Sequence, residues 1–356
     1  MIWIGSLSRY YLLCILATTL FTLSTPSFSA EICGIRKGFI GAAVNLHKAD
    51  RSSIDKAIEL AAKAKIEVIR WDGQWAMVEK IKGQLAIPEN WDHLVSKAAE
   101  RGIKSMIILG YGNEFYDNGD KPRSTDAING FARYAEFITH HFGAKVRMYE
   151  VWNEWNGRLG HTTPGTALDY AKLLRATYSK IKYQNPAACV IGGAYSGSAY
   201  EALIGGEANP KYLPMQFSEL LKTDASKYMD AISIHPYTIF RTDEFSGFTG
   251  LKLMLPRLVN SIRLAPGFST KPIFITELGW TTASLASIGV SENNQATYIR
   301  GAMQLAKALD VDGFIIFCLI DGNGRPLDPE GNFGIFRIDG SPKELFYRLV
   351  EDQSNR

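Results

Sequence analysis

Residues 146–156 read VRMYEVWNEWN, and this stretch decides the interpretation of the fold. Its first part, Val146–Trp152, is a short and mostly apolar run with the length of a buried strand. Its second part, Asn153-Glu154-Trp155-Asn156, places two amides, a carboxylate and an indole one after another. The pattern predicts a buried strand whose carboxyl end carries polar and aromatic side chains.

Seven further apolar runs resemble this one. The eight runs are Gly38–Asn45, Glu67–Trp71, Lys104–Leu109, Val146–Trp152, Cys189–Gly193, Ala231–His235, Pro272–Thr276 and Gly313–Phe317. From the third run onward their starts lie about 42 residues apart. Amphipathic helical patterns lie between the runs. These are Ile54–Lys65, Asp126–Phe142, a helix opened by Thr163-Pro164 that reaches Tyr183, Asn293–Leu309 and Pro342–Val350, which opens with a capping box at Ser341.

Strands that alternate with helices indicate an α/β protein with a parallel sheet covered on both faces. A strand count of eight favours closure into a single (β/α)8 TIM barrel. An open, doubly wound sheet is the alternative. A propeller is not favoured, because its blades contain four strands and no helices. We expect the residues beyond the barrel to form loops, mainly Ser196–Met229 and Thr238–Lys271.

The first 29 residues have a different texture. Met1–Arg9 carries one positive charge, Tyr10–Leu23 is uncharged and mostly apolar, and small residues stand at Ser27 and Ser29. This order predicts a secretory signal peptide, residues 1–29, and a secreted or periplasmic catalytic domain, residues 30–356. The alternative is an uncleaved N-terminal anchor. We expect no membrane span in the mature chain, because no other apolar run approaches roughly 20 residues.

The composition is that of an ordinary soluble protein, with 46% hydrophobic and 21% charged residues in a chain of 356. We expect no nucleic-acid partner, because the formal net charge is only +3 and basic residues do not cluster. The mature chain keeps Cys33, Cys189 and Cys318, and an odd count at wide spacing does not indicate a disulfide framework. Cys189 and Cys318 are expected to be buried, and Cys33 to be paired or free.

In a barrel of this kind the reactive groups lie at the carboxyl ends of the strands. Two carboxylates end two different runs, Glu154 the fourth and Glu277 the seventh, 123 residues apart in sequence. These two strands face each other across a closed barrel. Facing carboxylates are what glycosidic bond cleavage needs, because one gives a proton to the leaving oxygen while the other attacks the anomeric carbon.

The other residues at the strand ends suit a sugar ligand. Aromatic rings stack on the apolar faces of sugars, while amide, imidazole and guanidinium groups bind hydroxyls. We therefore expect Glu154 and Glu277 to be catalytic. The expected substrate-binding residues are Arg70, Asn153, His235, Tyr237, Trp280, Trp75 and Trp155. The structural alternatives are a surface salt bridge for Arg70, a turn at His235-Pro236-Tyr237, and core packing for the three tryptophans.

These residues together resemble glycoside hydrolase clan A. Asn153-Glu154 and the run Ile275-Thr276-Glu277-Leu278-Gly279-Trp280 match the clan's signatures at strands four and seven. Arg70 matches an arginine that often ends strand two, and His235 with Tyr237 matches a His-x-Tyr at strand six. The tail from Phe333 to Lys343 is also similar. The resemblance spans Gly38 to Leu349 and is greatest to families 39 and 5.

The resemblance implies a retaining β-glycosidase. Glu154 would be the acid/base and Glu277 the nucleophile of a covalent glycosyl-enzyme, with their carboxyl groups about 5–5.5 Å apart. Arg70 and a hydrogen bond from Tyr237 would support Glu277, and Asn153 would hold the sugar 2-OH. Family 5 members usually end strand eight with a Trp, where this chain has Phe317. No metal or other cofactor is implied.

The expected partner is a polysaccharide or oligosaccharide. Many family 39 exo-enzymes carry an added β-sandwich domain, for which this chain has no residues left, so we expect endo action. One alternative is a non-catalytic carbohydrate-binding barrel, and another is a transglycosylase that uses the same glycosyl-enzyme. A metal-dependent hydrolase is disfavoured, because the chain has six His and no His-x-His pair. The oligomeric state is left open.

Overall fold

The computed structural model describes residues 31–158, 162–203, 205, 215–241 and 243–354. The predicted signal peptide, residues 1–29, lies outside the described residues. The described chain opens with a short antiparallel hairpin formed by β1 (Glu31–Ile32) and β2 (Ile35–Arg36).

Eight parallel strands follow and close into a barrel in which each strand pairs with its neighbours in the chain and the last pairs with the first. The predicted TIM barrel is therefore confirmed. The barrel strands are β3 (Phe39–Ala43), β4 (Val68–Gln74), β5 (Lys104–Gly110), β6 (Met148–Val151), β7 (Cys189–Tyr195), β8 (Ala231–Ile234), β9 (Ile273–Leu278) and β10 (Gly313–Ile316). Each predicted apolar run overlaps one of these strands, although β4, β5, β7 and β9 extend one to three residues beyond their runs.

Helices surround the barrel. They are α1 (Arg51–Lys63), α2 (Trp75–Val78), α3 (Glu89–Glu100), α4 (Thr125–Phe142), α5 (Ala167–Gln184), α6 (Gln216–Leu220), α7 (Gly247–Leu264), α8 (Glu292–Ala308) and α9 (Glu344–Ser354). The predicted start of α5 at Thr163-Pro164 was wrong by about one turn. Thr166 is the actual N-cap, because its side chain accepts a hydrogen bond from the backbone N–H of Asp169.

The segment Thr238–Lys271, expected to be a loop, contains α7 instead. Pro256 lies inside this helix and removes one backbone hydrogen bond. The helix persists because its apolar face is buried against the barrel at residues that include Met254, Leu255, Leu258 and Ile262. Packing of an apolar face outweighs the local penalty of the proline. The segment Ser196–Met229 likewise contains α6 and two short 3-10 turns.

The core has two layers. An outer layer fills the space between the barrel and the helices. An inner layer fills the amino-terminal half of the barrel with apolar side chains, among them Phe39, Met106, Met148, Ile191 and Phe274. The barrel interior is thus packed at its amino-terminal end, and a cavity lies towards the carboxyl ends of the strands.

The hairpin covers the packed end. Ile32 and Ile35 contact the inner core, and Cys33 in the hairpin turn forms a disulfide with Cys189, the first residue of β7. The sequence left Cys33 either paired or free, and the structure shows it paired with Cys189, which is buried as expected. The sequence did not identify this partner, because the two residues lie 156 positions apart and only the fold brings them together. Cys318 is free and half-buried. Among the described helices, none has the length and apolar character that crossing a membrane requires.

Candidate active site

A cavity of about 1440 Å³ opens at the carboxyl ends of the barrel strands. Five of the predicted site residues lie on its wall, namely Arg70, Asn153, Glu154, Tyr237 and Glu277. His235 directly follows β8 and is fully buried behind this wall. The predicted catalytic and polar binding residues are therefore brought together from the ends of four barrel strands, β4, β6, β8 and β9.

The turn after β6 directs Glu154 into the cavity. Trp152 and Glu154 have positive φ angles of 67° and 47°, in the left-handed region that side chains other than glycine rarely adopt. Two backbone hydrogen bonds hold this turn. The N–H of Trp152 donates to Leu109 O at 2.8 Å, and the N–H of Glu154 donates to Ala194 O at 2.7 Å. Both neighbouring strands therefore fix the conformation, as expected where strain is kept at a functional position.

The two glutamates approach each other closely. One carboxylate oxygen of Glu154, one of Glu277 and one ring nitrogen of His235 lie within 4.8 Å of one another. The side chains of Glu154 and Glu277 are only 13% and 12% exposed. Two negative charges so close in a poorly solvated place repel each other, so the pair favours a state in which one carboxyl is protonated.

Arg70 decides which of the two glutamates is ionised. Its Nη1 donates to Glu277 Oε1 at 2.5 Å, and its Nη2 donates to Asn153 Oδ1 at 2.8 Å. On its other side the guanidinium is held by the buried Glu150, whose Oε2 accepts from Arg70 Nε at 2.7 Å. A charge-assisted bond of this kind stabilises the anion of Glu277.

The pKa values of the pair differ in the direction that this geometry requires. Burial raises the pKa of Glu154 to about 8, and the negative charge of Glu277 adds to the rise. Burial also raises the pKa of Glu277, to about 7, against the opposing charge of the Arg70 guanidinium. The first proton taken up by the pair therefore goes to Glu154.

His235 connects the pair to the barrel wall. Its Nε2 lies 3.0 Å from Thr276 Oγ1, and its Nδ1 lies 3.3 Å from Glu154 Oε1. Burial, helped by the positive charge of Arg70, holds the pKa of His235 well below its usual range. The ring is therefore neutral, so one ring nitrogen donates at its contact and the other accepts at its own.

The remaining polar residues leave groups available to a ligand. Asn153 uses its Oδ1 for Arg70, so its Nδ2 donors are directed elsewhere on the cavity wall. Tyr237 also lies on the wall, but the structure shows no hydrogen bond between its hydroxyl and Glu277, although both residues are described. The expected hydrogen bond from Tyr237 to the nucleophile is therefore not present in this structure.

Several glycoside hydrolases of known structure share this fold. A family 39 glycoside hydrolase from Bacteroides cellulosilyticus WH2 superposes with a TM-score of 0.72 and 24% identity, over 88% of this chain and 63% of that chain. A β-xylosidase from Caulobacter crescentus CB15 gives a TM-score of 0.68 and 19% identity, over 89% of this chain and 68% of that chain.

An exo-β-1,4-mannosidase from Opitutaceae bacterium strain TAV5 gives a TM-score of 0.66 and 18% identity, over 90% of this chain and 60% of that chain. The barrel shares its fold with these three enzymes. This chain thus spans less than two thirds of the length of the family 39 enzyme and of the mannosidase. No family model and no curated protein matches the sequence.

The three tryptophans expected to bind sugar, Trp75, Trp155 and Trp280, do not line the cavity, so that prediction was wrong. All three are buried in packing contacts. The indole N–H of Trp75 donates to Glu79 at 2.6 Å, and that of Trp155 donates to Thr166 O at 2.8 Å. Trp280 packs against neighbouring aromatic rings, with Phe248 at 6.1 Å. An indole that is covered on both faces has no surface left for a sugar ring.

Other aromatic residues occupy the cavity instead. Phe240, which is 53% exposed, and Phe317 both lie on its wall, together with Tyr111. Phe240 lies three residues beyond Tyr237, in the segment Thr238–Lys271 that was predicted to be a loop. No feature of the sequence distinguishes it from a packing residue.

The structure also identifies two acidic residues that the sequence-based list omitted. Asp72 lies on the cavity wall and accepts a hydrogen bond from the Tyr111 hydroxyl at 3.2 Å. Glu150 is fully buried beneath Arg70. Asp72 follows the predicted second run and was visible as a strand-end polar residue, whereas Glu150 lies within an apolar run, where its partner could be identified only in three dimensions.

The cluster of Glu154, His235 and Glu277 offers three ligand atoms within 4.8 Å of one another, a separation compatible with a metal ion. Each of the three already has a protein partner. In particular, the Arg70 guanidinium bonds Glu277 and would repel a cation placed at this carboxylate. The arrangement pairs a neutral carboxyl group, which can give a proton to a ligand, with an ionised one, which can act as a nucleophile.

Proposed function

We propose that the protein is a retaining glycoside hydrolase that cleaves β-glycosidic bonds in a polysaccharide or oligosaccharide by double displacement. The supporting observation is that one carboxylate oxygen of Glu154 and one of Glu277 lie within 4.8 Å of each other. Retaining enzymes hold their carboxyl groups about 5–5.5 Å apart, whereas inverting enzymes need roughly 6.5–9.5 Å to admit a water molecule. The shared fold with glycoside hydrolases supports the same reaction class.

In the first step Glu277 attacks the anomeric carbon while the bond to the leaving oxygen breaks. Glu154 gives its proton to that oxygen. The raised pKa of Glu154 supports this role, because the group stays protonated near neutral pH. The contact with Arg70 supports the nucleophilic role of Glu277, because it favours the ionised form.

In the second step a water molecule attacks the anomeric carbon of the glycosyl-enzyme, and the ester bond to Glu277 breaks and frees that carboxylate. The charge of Glu277 has been consumed in the ester, so the repulsion that raised the pKa of Glu154 is gone. Glu154 is now an anion and accepts the proton of the incoming water. Asn153 would bind the sugar 2-OH through its free Nδ2 donors, a contact that strengthens in the transition state.

We further propose endo action. The cavity of about 1440 Å³ is larger than the roughly 300–1000 Å³ of sites that enclose one small molecule, and it therefore has room for several sugar rings. The mannosidase with the same fold is named as an exo-enzyme, so product analysis is the deciding observation. An endo-enzyme lowers the viscosity of a polysaccharide early and releases oligosaccharides, whereas an exo-enzyme releases short sugars first.

The test is the release of reducing sugar from a panel of β-linked polysaccharides and aryl β-glycosides. Wild type is compared with Glu154→Ala and Glu277→Ala, and Glu100→Ala on the surface of α3 is the matched control. We expect activity in wild type and in the control, and its loss in both site variants. Added azide should give glycosyl azides of opposite configuration in the two site variants, because it replaces water in one and the nucleophile in the other.

Other outcomes would contradict the proposal. Binding of a glycan without any cleavage would favour the non-catalytic barrel. Transfer to a sugar acceptor in preference to water would favour a transglycosylase. Activity that survives the loss of Glu277 would exclude double displacement through this residue.

We also propose that the chain is exported, with cleavage after Ser29, and that residues 30–356 form one catalytic domain. The Cys33–Cys189 disulfide supports export, because disulfides persist in oxidising compartments and are rare in the cytosol. The measurement is cell fractionation followed by N-terminal sequencing. A mature chain that begins at Ala30 is expected, and a chain that keeps its first residues in the membrane fraction would show an uncleaved anchor.

A further inference from the structure

The guanidinium of Arg70 is bonded to two carboxylates at once. Glu277 lies on its cavity side at 2.5 Å. Glu150 lies on its other side, where one oxygen accepts from Nε at 2.7 Å and lies 2.6 Å from Nη2. Glu150 has no exposed surface, and its second oxygen makes no hydrogen bond within the part of the chain that the structure describes. Neither step of the proposed reaction gives this buried carboxylate a role.

The reaction changes the charge on only one side of Arg70. Before the reaction, two anions flank one buried cation. When Glu277 becomes an ester it is neutral, and a buried guanidinium with no other partner would be left uncompensated. Burying a single unpaired charge is strongly unfavourable. Glu154 becomes an anion in the same step, but no hydrogen bond joins it to Arg70 among the described residues.

We propose that Glu150 is the permanent counterion of Arg70, which keeps the guanidinium neutralised and in position while Glu277 loses its charge to the sugar. Glu150 is thus a positioning residue and does not touch the substrate. This inference rests on the proposed double displacement. Its two consequences are that Arg70 tolerates a neutral group at position 277, and that Glu150 adds a negative charge near the nucleophile.

The stability of neutral variants tests the first consequence without any need for activity. Glu277→Gln imitates the uncharged ester. At pH 8 it should keep the melting temperature of wild type within roughly 3 °C, because Glu150 still compensates Arg70. Glu150→Gln should also fold, with Glu277 as the remaining counterion. The double variant removes both counterions and should lose at least roughly 5 °C more than the two single losses added together.

Additive losses in this comparison would overturn the proposal, because they would show that the two carboxylates do not substitute for each other. If Glu150→Gln does not fold, Glu277→Gln decides alone. A protein that keeps its melting temperature without the charge of Glu277 must have a second counterion for Arg70, whereas a large loss in Glu277→Gln would overturn the proposal.

The pH dependence of kcat/KM tests the second consequence. The titratable and charged groups that face Glu277 are Arg70 and Asp72 from β4, Tyr111 beyond β5, Glu150 and Glu154 from β6 and its end, His235 and Tyr237 beyond β8, and Cys318 beyond β10. Among them, Glu150 raises the pKa of Glu277 through its negative charge. Its removal should therefore lower this pKa and extend activity to lower pH.

In Glu150→Gln the acid limb of the kcat/KM profile should move down by roughly one pH unit. The value of kcat/KM at the optimum should fall by roughly tenfold or more, because Arg70 loses its compensation as the ester forms. Glu150→Asp keeps the charge, so its acid limb should stay where that of wild type lies. The matched control is Glu67→Gln, which breaks a pair with Arg36 at the opposite end of the barrel and should leave the limb unmoved.

The outcomes separate this proposal from the proposed function. Suppose that wild type is active and that the acid limb of Glu150→Gln lies where that of wild type does. This result would overturn the role of Glu150 and leave the hydrolase assignment intact. A limb that moves equally in Glu150→Asp would point to a purely structural role and would also overturn it. A wild type that cleaves no substrate in the panel would overturn the function, and with it the catalytic half of this proposal, while the melting temperatures would still decide whether Glu150 compensates Arg70.

Discussion

The disulfide between Cys33 and Cys189 gives a prediction whose size follows from the fold. It joins the turn of the N-terminal hairpin to the start of β7 across 156 positions of the sequence. A cross-link over a loop of that length removes conformational entropy from the unfolded chain worth roughly 5 kcal/mol at 25 °C. Measured losses on removing a native disulfide are typically about 2–5 kcal/mol, so we expect a loss in this range.

The assay is urea unfolding followed by tryptophan fluorescence. The double variant Cys33→Ala with Cys189→Ala is compared with wild type, with and without reductant. Cys318→Ala is the matched control, because that thiol is free and half-buried. We expect the double variant and reduced wild type to lose similar free energies of unfolding, and the control to change much less.

Activity should behave differently from stability in these variants. The disulfide lies at the amino-terminal end of the barrel, whereas Glu154 and Glu277 lie at the carboxyl end. The folded double variant should therefore keep the kcat/KM of wild type. A loss of free energy no larger than that of the Cys318 control would refute the reasoning, since the hairpin would then contribute nothing through its cross-link.

Three further predictions concern the site. The dependence of kcat/KM on pH should be bell-shaped, because activity needs Glu277 ionised and Glu154 protonated. The acid limb should lie near the pKa of about 7 of Glu277 and the alkaline limb near the pKa of about 8 of Glu154. An optimum below pH 5 would contradict both assignments. Trp155→Ala should lower the free energy of unfolding in urea by about 3–5 kcal/mol, because Trp155 is fully buried. Phe240→Ala should raise KM with little effect on the free energy of unfolding, because Phe240 is exposed on the cavity wall. The reverse pattern would contradict the assignment of Trp155 to the core and of Phe240 to the cavity. An aryl β-glucuronide should be cleaved at least roughly tenfold more slowly than the matching β-glucoside, because the cavity-lining Arg70 and Arg241 are already paired with Glu277 and Asp243, and Lys56 donates to Asp339 O at 2.9 Å. Glu330 also lines the cavity, and Glu330→Gln should narrow this difference in rate because it removes a negative charge from the wall; equal rates for the two substrates would contradict the prediction.

The barrel was predictable because each strand carries its own local signal. Runs such as Val146–Trp152 and Pro272–Thr276 are short, apolar and evenly spaced, and parallel strands buried on both faces need nothing more. The grouping of Arg70, Asn153, Glu154 and Glu277 followed from one topological rule, namely that the carboxyl ends of barrel strands meet at one face. These predictions depended on the order of strands and polar residues along the chain and not on side-chain packing.

The predictions that were wrong depended on packing in three dimensions. A Trp beside a catalytic residue has the same sequence context whether it faces the cavity or the helices, and Trp155 and Trp280 face the helices. The pairing of Cys33 with Cys189 depends on how the hairpin folds over the barrel, which no spacing reveals. The start of α5 depended on a competition between Pro164 and the cap at Thr166, and the cap prevailed.

The configuration of the first product tests the central claim most directly. An aryl β-glycoside that wild type cleaves is followed by proton NMR during the first minutes, before the product mutarotates. Double displacement between Glu154 and Glu277 predicts that the β-anomer of the free sugar forms first. Initial formation of the α-anomer would show a single inversion and would contradict the account, whatever the distance between the two carboxylates.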